Sequence, residues 1–165
     1  WKQILKIILD CIRFCCVNNL ALRGSSNDIT KSNCGIFLNL IELISSYNPI
    51  IAQHLSNSNR RTTYLSYKVQ NEFICLLGNS VREKIISNIK EAKYYSIIFD
   101  SAPDISHKEQ MTQIVRYVVE SNDKYTIEES LIDFITTTKK TGQGLAEEIL
   151  KKLSEDGLEF KNCRG

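Results

Sequence analysis

The spacing of apolar residues changes at Lys93, and this change limits the folds open to the chain. Before it, apolar residues recur every three or four positions, which is typical of helices buried on one face. After it come short runs rich in aromatic and β-branched residues, which favour strands. The sequence therefore predicts an α+β protein with a helical region over 1–92 and a sheet-forming region over 93–165.

Four helices are predicted in the first region. The first covers about 1–18, the second about 35–47, and a short third begins at Asn48-Pro49 and ends near Leu55, because Asn caps helices and Pro suits their first turn. Gly78 lies inside the fourth helix, about 66–92, where it either permits close packing or marks a kink. This helix has an apolar residue at every fourth position: Val69, Phe73, Leu77, Val81, Ile85 and Ile89.

Three strands and one helix are predicted in the second region. Residues 94–99 are a continuous apolar run, which predicts a strand covered on both faces and central in its sheet. Residues 111–119 and 125–137 are predicted as two further strands, and the short connections favour antiparallel pairing. A helix opens at Thr141-Gly142 and ends at Asp156-Gly157, and another strand is expected where the sequence reaches Gly165.

Composition narrows the class of protein. Apolar residues make up 42% and charged residues 24%, as in globular domains. Charges at Lys2, Lys6 and Asp10 interrupt the first apolar run, so it is neither a signal-peptide core nor a membrane span, and a soluble intracellular protein is expected. The six cysteines contain no Cys-x-x-Cys pair, which favours buried free thiols over zinc sites or disulfides.

Charge is divided unevenly along the chain. Residues 1–92 contain 11 Lys and Arg against 6 Asp and Glu, whereas residues 93–165 contain 10 against 13. The first region is therefore basic and the second acidic. Such a division suits a nucleic-acid enzyme, in which basic groups contact phosphates and carboxylates bind metal.

Asp100 is the leading candidate for chemistry. It closes the first predicted strand and is followed by a turn that contains Pro103 and a second carboxylate, Asp104. Carboxylates at strand ends often bind metal ions in α/β folds. The alternative is that Asp100 accepts hydrogen bonds from the turn and that Asp104 is a turn or cap residue.

Other motifs have weaker functional interpretations. Arg60 and Arg61, in a polar linker, either contact nucleic-acid phosphates or are simply solvated. The Gly142-Gln143-Gly144 segment lacks the Lys-Ser/Thr end of a phosphate-binding loop and is read as a helix entry. His54 is expected to be packed or at the surface, and His107 to lie in an exposed loop. Neither a Gly-x-Ser-x-Gly nor a His-Glu-x-x-His motif is present, so hydrolase and metalloprotease functions lack support.

Several short motifs, in this order and spacing, resemble the transposase-like domain of hAT-family elements and of domesticated relatives similar to zinc finger MYM-type protein 1. They cover nearly the whole chain: Leu20-Ala21-Leu22-Arg23-Gly24, Tyr64-Leu65-Ser66, Gln70-Asn71-Glu72, Phe99-Asp100-Ser101-Ala102-Pro103-Asp104, Lys108-Glu109-Gln110, Arg116-Tyr117-Val118 and Asn162-Cys163-Arg164-Gly165. Related sequences commonly have Thr where this chain has Ala102. The resemblance implies a fragment: helices followed by the first β-β-β-α part of a ribonuclease H-like mixed sheet.

The same resemblance implies a function and a site. Asp100 matches the first of three carboxylates that hold two Mg²⁺ or Mn²⁺ ions for DNA cleavage and strand transfer. The second aspartate is expected just after Gly165 and a glutamate much later, so this fragment alone is expected to be inactive. DNA is the expected partner and the nucleus the expected location, with no membrane association. The alternative is a domesticated, non-catalytic module that binds proteins or DNA, with self-association or partner binding through the helical region.

Overall fold

The predicted α+β architecture is confirmed by the computed structural model, which describes residues 1–56, 63–103, 109–139 and 141–165. The elements follow the predicted order: α1 (Lys2–Val17), α2 (Ile36–Ser45), α3 (Pro49–Ser56), α4 (Tyr67–Ala92), β1 (Tyr95–Pro103), β2 (Glu109–Ser121), β3 (Lys124–Thr137), α5 (Gly142–Glu155) and a short 3₁₀ helix (Phe160–Asn162). Among these residues, no helix combines the length and apolar content needed to cross a membrane.

The first of two compact units, Trp1–Gly78, is helical, and we call it the helical unit. The apolar stripe of α1 packs against α2 and α3, as its spacing predicts. Asn48 caps α3, since its Oδ1 accepts from the Ile50 backbone N–H at 3.0 Å. A Cβ at Gly24 would lie 2.0 Å from the Asn33 carbonyl oxygen, so this loop requires glycine. The buried core contains Ile4, Ile8, Cys11, Ile12, Cys34, Phe37, Leu38, Ile41 and Ile51.

The second unit, Asn79–Gly165, is the sheet unit. Its strands pair antiparallel in the order β1-β2-β3, with a register shift between Gln113 and Ile114. Positive φ angles of 51° and 59° at Asn122 and Asp123 form the tight β2–β3 turn. Thr141 caps α5 by accepting from the Gly144 N–H at 3.2 Å, as expected for a helix entry. The buried core contains Ile86, Ile89, Tyr95, Val115, Tyr117, Ile132, Leu153 and Leu158.

Helix α4 belongs to both units, and this alters one prediction. Its first half contributes Phe73 and Leu77 to the helical core, and its second half contributes Ile86 and Ile89 to the sheet core. The apolar row of the sequence is not buried throughout: Val81 in its middle is exposed, because each half of the helix packs on a different core. The units divide between Gly78 and Asn79, whereas the predicted domain limits of 1–92 and 93–165 follow the end of the helix and stay a prediction.

Strand β1 differs from the prediction in its burial. The central strand is β2, and β1 pairs with it along one side. On the other side of β1, an isolated parallel bridge joins Tyr95 to Cys163. Ile98 is 42% exposed, so the strand is not covered on both faces. A continuous apolar run therefore identified the strand correctly but not what covers it.

All six cysteines are free thiols, as predicted. The expectation of burial holds for only half of them, since Cys11, Cys15 and Cys34 are buried, whereas Cys16 and Cys75 are exposed. Burial raises the pKa of Cys11 from 9.0 to about 11. This buried thiol is therefore uncharged at neutral pH.

Candidate functional site

Asp100 lies on β1 with an exposed side chain. Its Cα partner on β2 is Thr112, and the partner of Thr112 on β3 is Phe134. The strand extends three residues past Asp100 to Pro103, so Asp100 is within β1 and not at its last position. The carboxylate is therefore held on regular backbone, which fixes it more firmly than a loop would.

Asp100 shares a sheet surface that we call the open face. Successive side chains on a strand alternate between the two faces of a sheet, and the other face carries the buried core of the sheet unit. The open face combines apolar, charged and hydroxyl groups: Ser96, Ile98, Asp100, Thr112, Ile114, Arg116, Glu129, Leu131 and Phe134. Phe134 is 60% exposed and Leu131 46%, so the open face is accessible to a ligand or partner.

Three of the predicted site residues lie outside the described residues. These three are Asp104, Arg60 and Arg61, and the metal-binding role of Asp104 and the phosphate-binding roles of the two arginines stay predictions. His107 also lies outside. Because residues 104–108 are likewise outside, the alternative role of Asp100 as a hydrogen-bond acceptor for a turn stays a prediction too.

His54 is packed, one of the two environments expected for it. It is buried, and its Nε2 lies 2.9 Å from the Thr63 carbonyl oxygen. The Trp1 ring meets it edge-on, with 5.6 Å between the ring centroids. These contacts account for the residue as part of the helical core.

A metal ion needs more ligands than Asp100 supplies within the described chain. No three His, Cys, Asp or Glu side chains there lie close enough together to hold a metal ion. Asp133, on the neighbouring part of the sheet, is instead 3.6 Å from the Lys152 ammonium of α5. Since Mg²⁺ takes several oxygen ligands, the described residues do not by themselves form a site for Mg²⁺ or Mn²⁺.

Sequence analysis missed a buried polar cluster formed by Arg82, Gln113 and Asp156. Asp156 has a side chain only 1% exposed, and its Oδ1 accepts from Arg82 on α4. Gln113 Nε2 donates to Asp156 Oδ2 at 3.4 Å, while Gln113 Oε1 is buried without a hydrogen-bond partner in the described residues. The cluster links α4, β2 and the end of α5. The only sequence signal there, Asp156-Gly157, had been interpreted as a helix end.

The C-terminal residues run parallel to the start of β1. The Arg164 N–H donates to the Tyr95 carbonyl oxygen, and the Ile97 N–H donates to the Gly165 carbonyl oxygen, both at 2.8 Å. Burial raises the pKa of the Tyr95 hydroxyl, which donates to the Glu159 carbonyl at 3.2 Å. The chain thus begins a parallel pairing on the free side of β1, in agreement with the expected further strand.

An α+β arrangement of helices and a β-β-β-α unit, with parallel pairing beginning beside β1, defines the class of a ribonuclease-like domain. The match to known families is more specific. Residues 1–165, the whole chain, match the ZMYM1/FAM200, RNase-like domain family, and the chain belongs to that family. The resemblance seen in the sequence motifs is thereby confirmed.

Two curated relatives share the name 52 kDa repressor of the inhibitor of the protein kinase. The chain is 24% identical to the Homo sapiens protein over 172 residues and 22% identical to the Mus musculus protein over 169 residues. Both alignments cover 99% of this chain but only 22% of the relative. The chain therefore spans about a fifth of the length of these relatives. No solved structure gives a significant match.

Together the family match and these relatives indicate a transposase-derived, hAT-related domain.

Proposed function

We propose that this chain is the first part of a ribonuclease H-like domain descended from a DNA transposase, and that Asp100 supplies one carboxylate of its divalent-metal site. The observation that carries the proposal is the exposed position of Asp100 on β1 of a β-β-β-α unit. Asp156, by contrast, is buried and paired with Arg82 within the fold.

The parallel pairing beside β1 supports this assignment. Hydrogen bonds from residues 164 and 165 align the C-terminal segment with Tyr95 and Ile97 in the direction of Asp100. In a longer protein containing this chain, the next few residues in that register would approach Asp100. A second carboxylate there, together with Asp100, would supply two of the oxygen ligands that Mg²⁺ or Mn²⁺ needs.

When bound, such metal ions would activate an attacking oxygen and stabilise a leaving oxygen of a DNA phosphodiester. Asp100 is the ligand offered by the described residues, and the remaining ligands are proposed to lie outside 1–165. The isolated chain is accordingly proposed to be inactive. A nuclear location of the parent protein is part of the same proposal, since DNA is its substrate.

The test uses the longer parent protein and a DNA cleavage assay with Mg²⁺ or Mn²⁺. Asp100→Asn removes the negative charge with little change in shape, and cleavage is expected to fall by at least about 100-fold, since the loss of a charged ligand costs several kcal/mol of transition-state stabilisation. Asp123→Asn is the matched control, because that turn residue has positive φ, a conformation that Asn adopts readily. Equal activity of Asp100→Asn and wild type would remove Asp100 from the site.

A second candidate is a domesticated, non-catalytic interaction module. It is favoured by one observation: the helical unit exposes Val17, Leu43 and Tyr47 at 71%, 56% and 84%. Large exposed apolar side chains often mark protein contacts. We therefore propose a protein partner or a second copy as the ligand of the helical unit in that case.

The two candidates differ in the parent sequence and in solution. The non-catalytic reading expects no carboxylate on the strand after Gly165 and no metal-dependent cleavage. It also expects concentration-dependent self-association or partner binding that is weakened by a Leu43→Ser, Tyr47→Ser double variant, as measured by light scattering after size exclusion. Cleavage that depends on Asp100, together with a monomer at all concentrations, would reject it.

A further inference from the structure

The open face carries an aromatic ring, Tyr94, with two positively charged side chains close to it. The Arg164 guanidinium carbon lies 4.5 Å from the centroid of the Tyr94 ring, and the Lys93 ammonium lies 5.3 Å from it. Both distances are within the range of cation–π attraction. Tyr94 is nevertheless 48% exposed, so much of the ring is free to contact a ligand.

Arg164 is fixed in this position by contacts that leave its charge unneutralised. Its Nη1 donates to the backbone carbonyls of Lys161 and Cys163 at 3.0 and 3.3 Å, and its own N–H pairs with Tyr95. Among the described residues, no carboxylate forms an ion pair with Arg164 or Lys93. Their positive charge is therefore available to an anion.

A shallow depression of about 270 Å³ lies beside this ring. We call it the Tyr94 depression, and it is lined by Tyr94, Ser96, Arg116, Val118, Ile127 and Arg164. Val118 and Ile127 provide an apolar wall, while Ser96 and the two arginines provide hydrogen-bond donors.

Arg116 can exchange its present partner for a ligand at little cost. It is 3.5 Å from Glu129, and both side chains are about half exposed, at 50% and 51%. Exposed ion pairs of this kind contribute at most about 1 kcal/mol. Arg116 and Arg164 line the depression, and Glu129 neutralises one of these two charges. The depression is therefore net positive on a region, 93–165, whose total charge is negative. This local excess of positive charge favours an anionic ligand.

The Tyr94 depression and Asp100 lie on the same face of β1. Tyr94, just before β1, is six positions from Asp100, which corresponds to about 20 Å along an extended chain. The surface between them is apolar at Ile98, Ile114 and Leu131, which align across the three strands. A single extended ligand could therefore contact the depression and Asp100 together.

We propose that the Tyr94 depression binds single-stranded nucleic acid, with one base stacked on Tyr94 and the flanking phosphates on Arg116 and Arg164. Exposed aromatic rings beside basic side chains bind single strands in this way, since every base has a stacking face. A duplex keeps its bases inside and cannot use the ring. The inference rests on the proposed function in one respect: the nucleic-acid strand bound here would continue toward Asp100.

The test measures binding of a fluorescein-labelled oligothymidylate to the 165-residue chain by fluorescence anisotropy, in EDTA and at several salt concentrations. Two phosphate contacts predict a slope of about −1.4 for log affinity against log salt. Tyr94→Ala is expected to weaken binding by about five-fold or more, and Tyr94→Phe to retain it. Arg116→Gln is expected to reduce the slope by about 0.7.

Two control variants match these changes. Tyr67→Ala removes a tyrosine with the same 48% exposure from the helical unit, and Lys151→Gln removes an exposed charge from α5. Both are expected to bind like the wild type. Thermal melting followed by circular dichroism checks that each variant is folded, and Tyr94→Phe keeps the ring if Tyr94→Ala does not fold.

Three results would overturn the proposal. The first is an equal loss of binding for Tyr94→Ala and Tyr67→Ala. The second is tighter binding of a matched duplex than of the single strand. The third is self-association of the chain in place of oligonucleotide binding. Because EDTA removes metal ions, the assay is independent of the cleavage test on the parent protein. Failure of one therefore does not imply failure of the other.

Discussion

Both units of this chain expose some large apolar side chains, but in the sheet unit several of them share one face of the sheet. The helical unit surrounds a core of isoleucines and Phe37, and its buried histidine has a hydrogen-bond partner. The sheet unit covers one face of its sheet and leaves Ile98, Leu131 and Phe134 exposed on the other. Asp100 and the Tyr94 depression lie on that open face. In our proposal the helical core serves stability, and the open face of the sheet serves recognition and chemistry.

The largest expected effect is the difference in stability loss between truncating a buried phenylalanine and truncating an exposed one. Phe37→Ala should reduce the free energy of unfolding by about 3–5 kcal/mol, because it creates a cavity in the helical core. Phe134→Ala on the open face should change it by less than about 0.5 kcal/mol. Urea denaturation followed by Trp1 fluorescence and by circular dichroism measures both. Similar losses for the two variants would mean that the open face is covered.

The buried ion pair of the sheet unit gives the next largest effect. Arg82→Ala leaves the Asp156 carboxylate buried without its cation, which should cost about 3 kcal/mol of stability. Lys84→Ala, at an exposed position on the same helix, is the control and should be nearly neutral. Urea denaturation followed by circular dichroism tests this. If Arg82→Ala were as stable as the control, Asp156 would not depend on the pair.

Alkaline pH should destabilise the helical unit through Cys11. The pKa of this thiol is raised by burial from 9.0 to about 11 in the folded state. A raised pKa contributes stability below about pH 9, and that contribution is lost as pH rises toward 11. Urea midpoints from Trp1 fluorescence at pH 8 and 10.5 measure the loss. Cys11→Ala should flatten this pH dependence, whereas Cys75→Ala, an exposed thiol, should leave it unchanged.

The smallest effect concerns the glycine at the boundary of the two units. A Cβ at Gly78 would contact nothing within 4 Å, so Gly78→Ala should raise stability by up to about 1 kcal/mol through helix propensity. Gly24→Ala should do the opposite, since its Cβ would collide with the Asn33 carbonyl. Thermal denaturation compares the two. A loss of stability in Gly78→Ala would indicate a special backbone requirement within α4.

Local pattern predicted most of the fold. The spacing of Ile4, Ile8 and Ile12 determines which side of α1 is buried, and Asn48 and Thr141 provide caps that act within a few residues. The exposure of Val81 was not predictable in this way, because it depends on two separate cores packing against one helix. Nor was the exposure of Ile98, since an apolar strand can be read from sequence but its covering layer cannot.

The candidate site, like the fold, could be predicted only in part from local sequence pattern. Asp100 was identified from its place after an apolar run and from the resemblance of its motif, and it lies exposed on β1. Tyr94, Arg116 and Arg164 were not identified as a group, because they come from three separate segments joined only by sheet pairing. The Arg82–Asp156 pair spans 74 positions. Residues so far apart leave no local pattern to recognise.

The most direct test of the contrast between the units maps oligonucleotide contacts on the ¹⁵N-labelled chain by NMR. With oligothymidylate added in EDTA, chemical-shift changes are expected at Tyr94, Ser96, Arg116, Val118 and Arg164, while signals from residues 1–56 stay in place. Shift changes confined to the helical unit, with the open face unaffected, would contradict the assignment of recognition to the sheet.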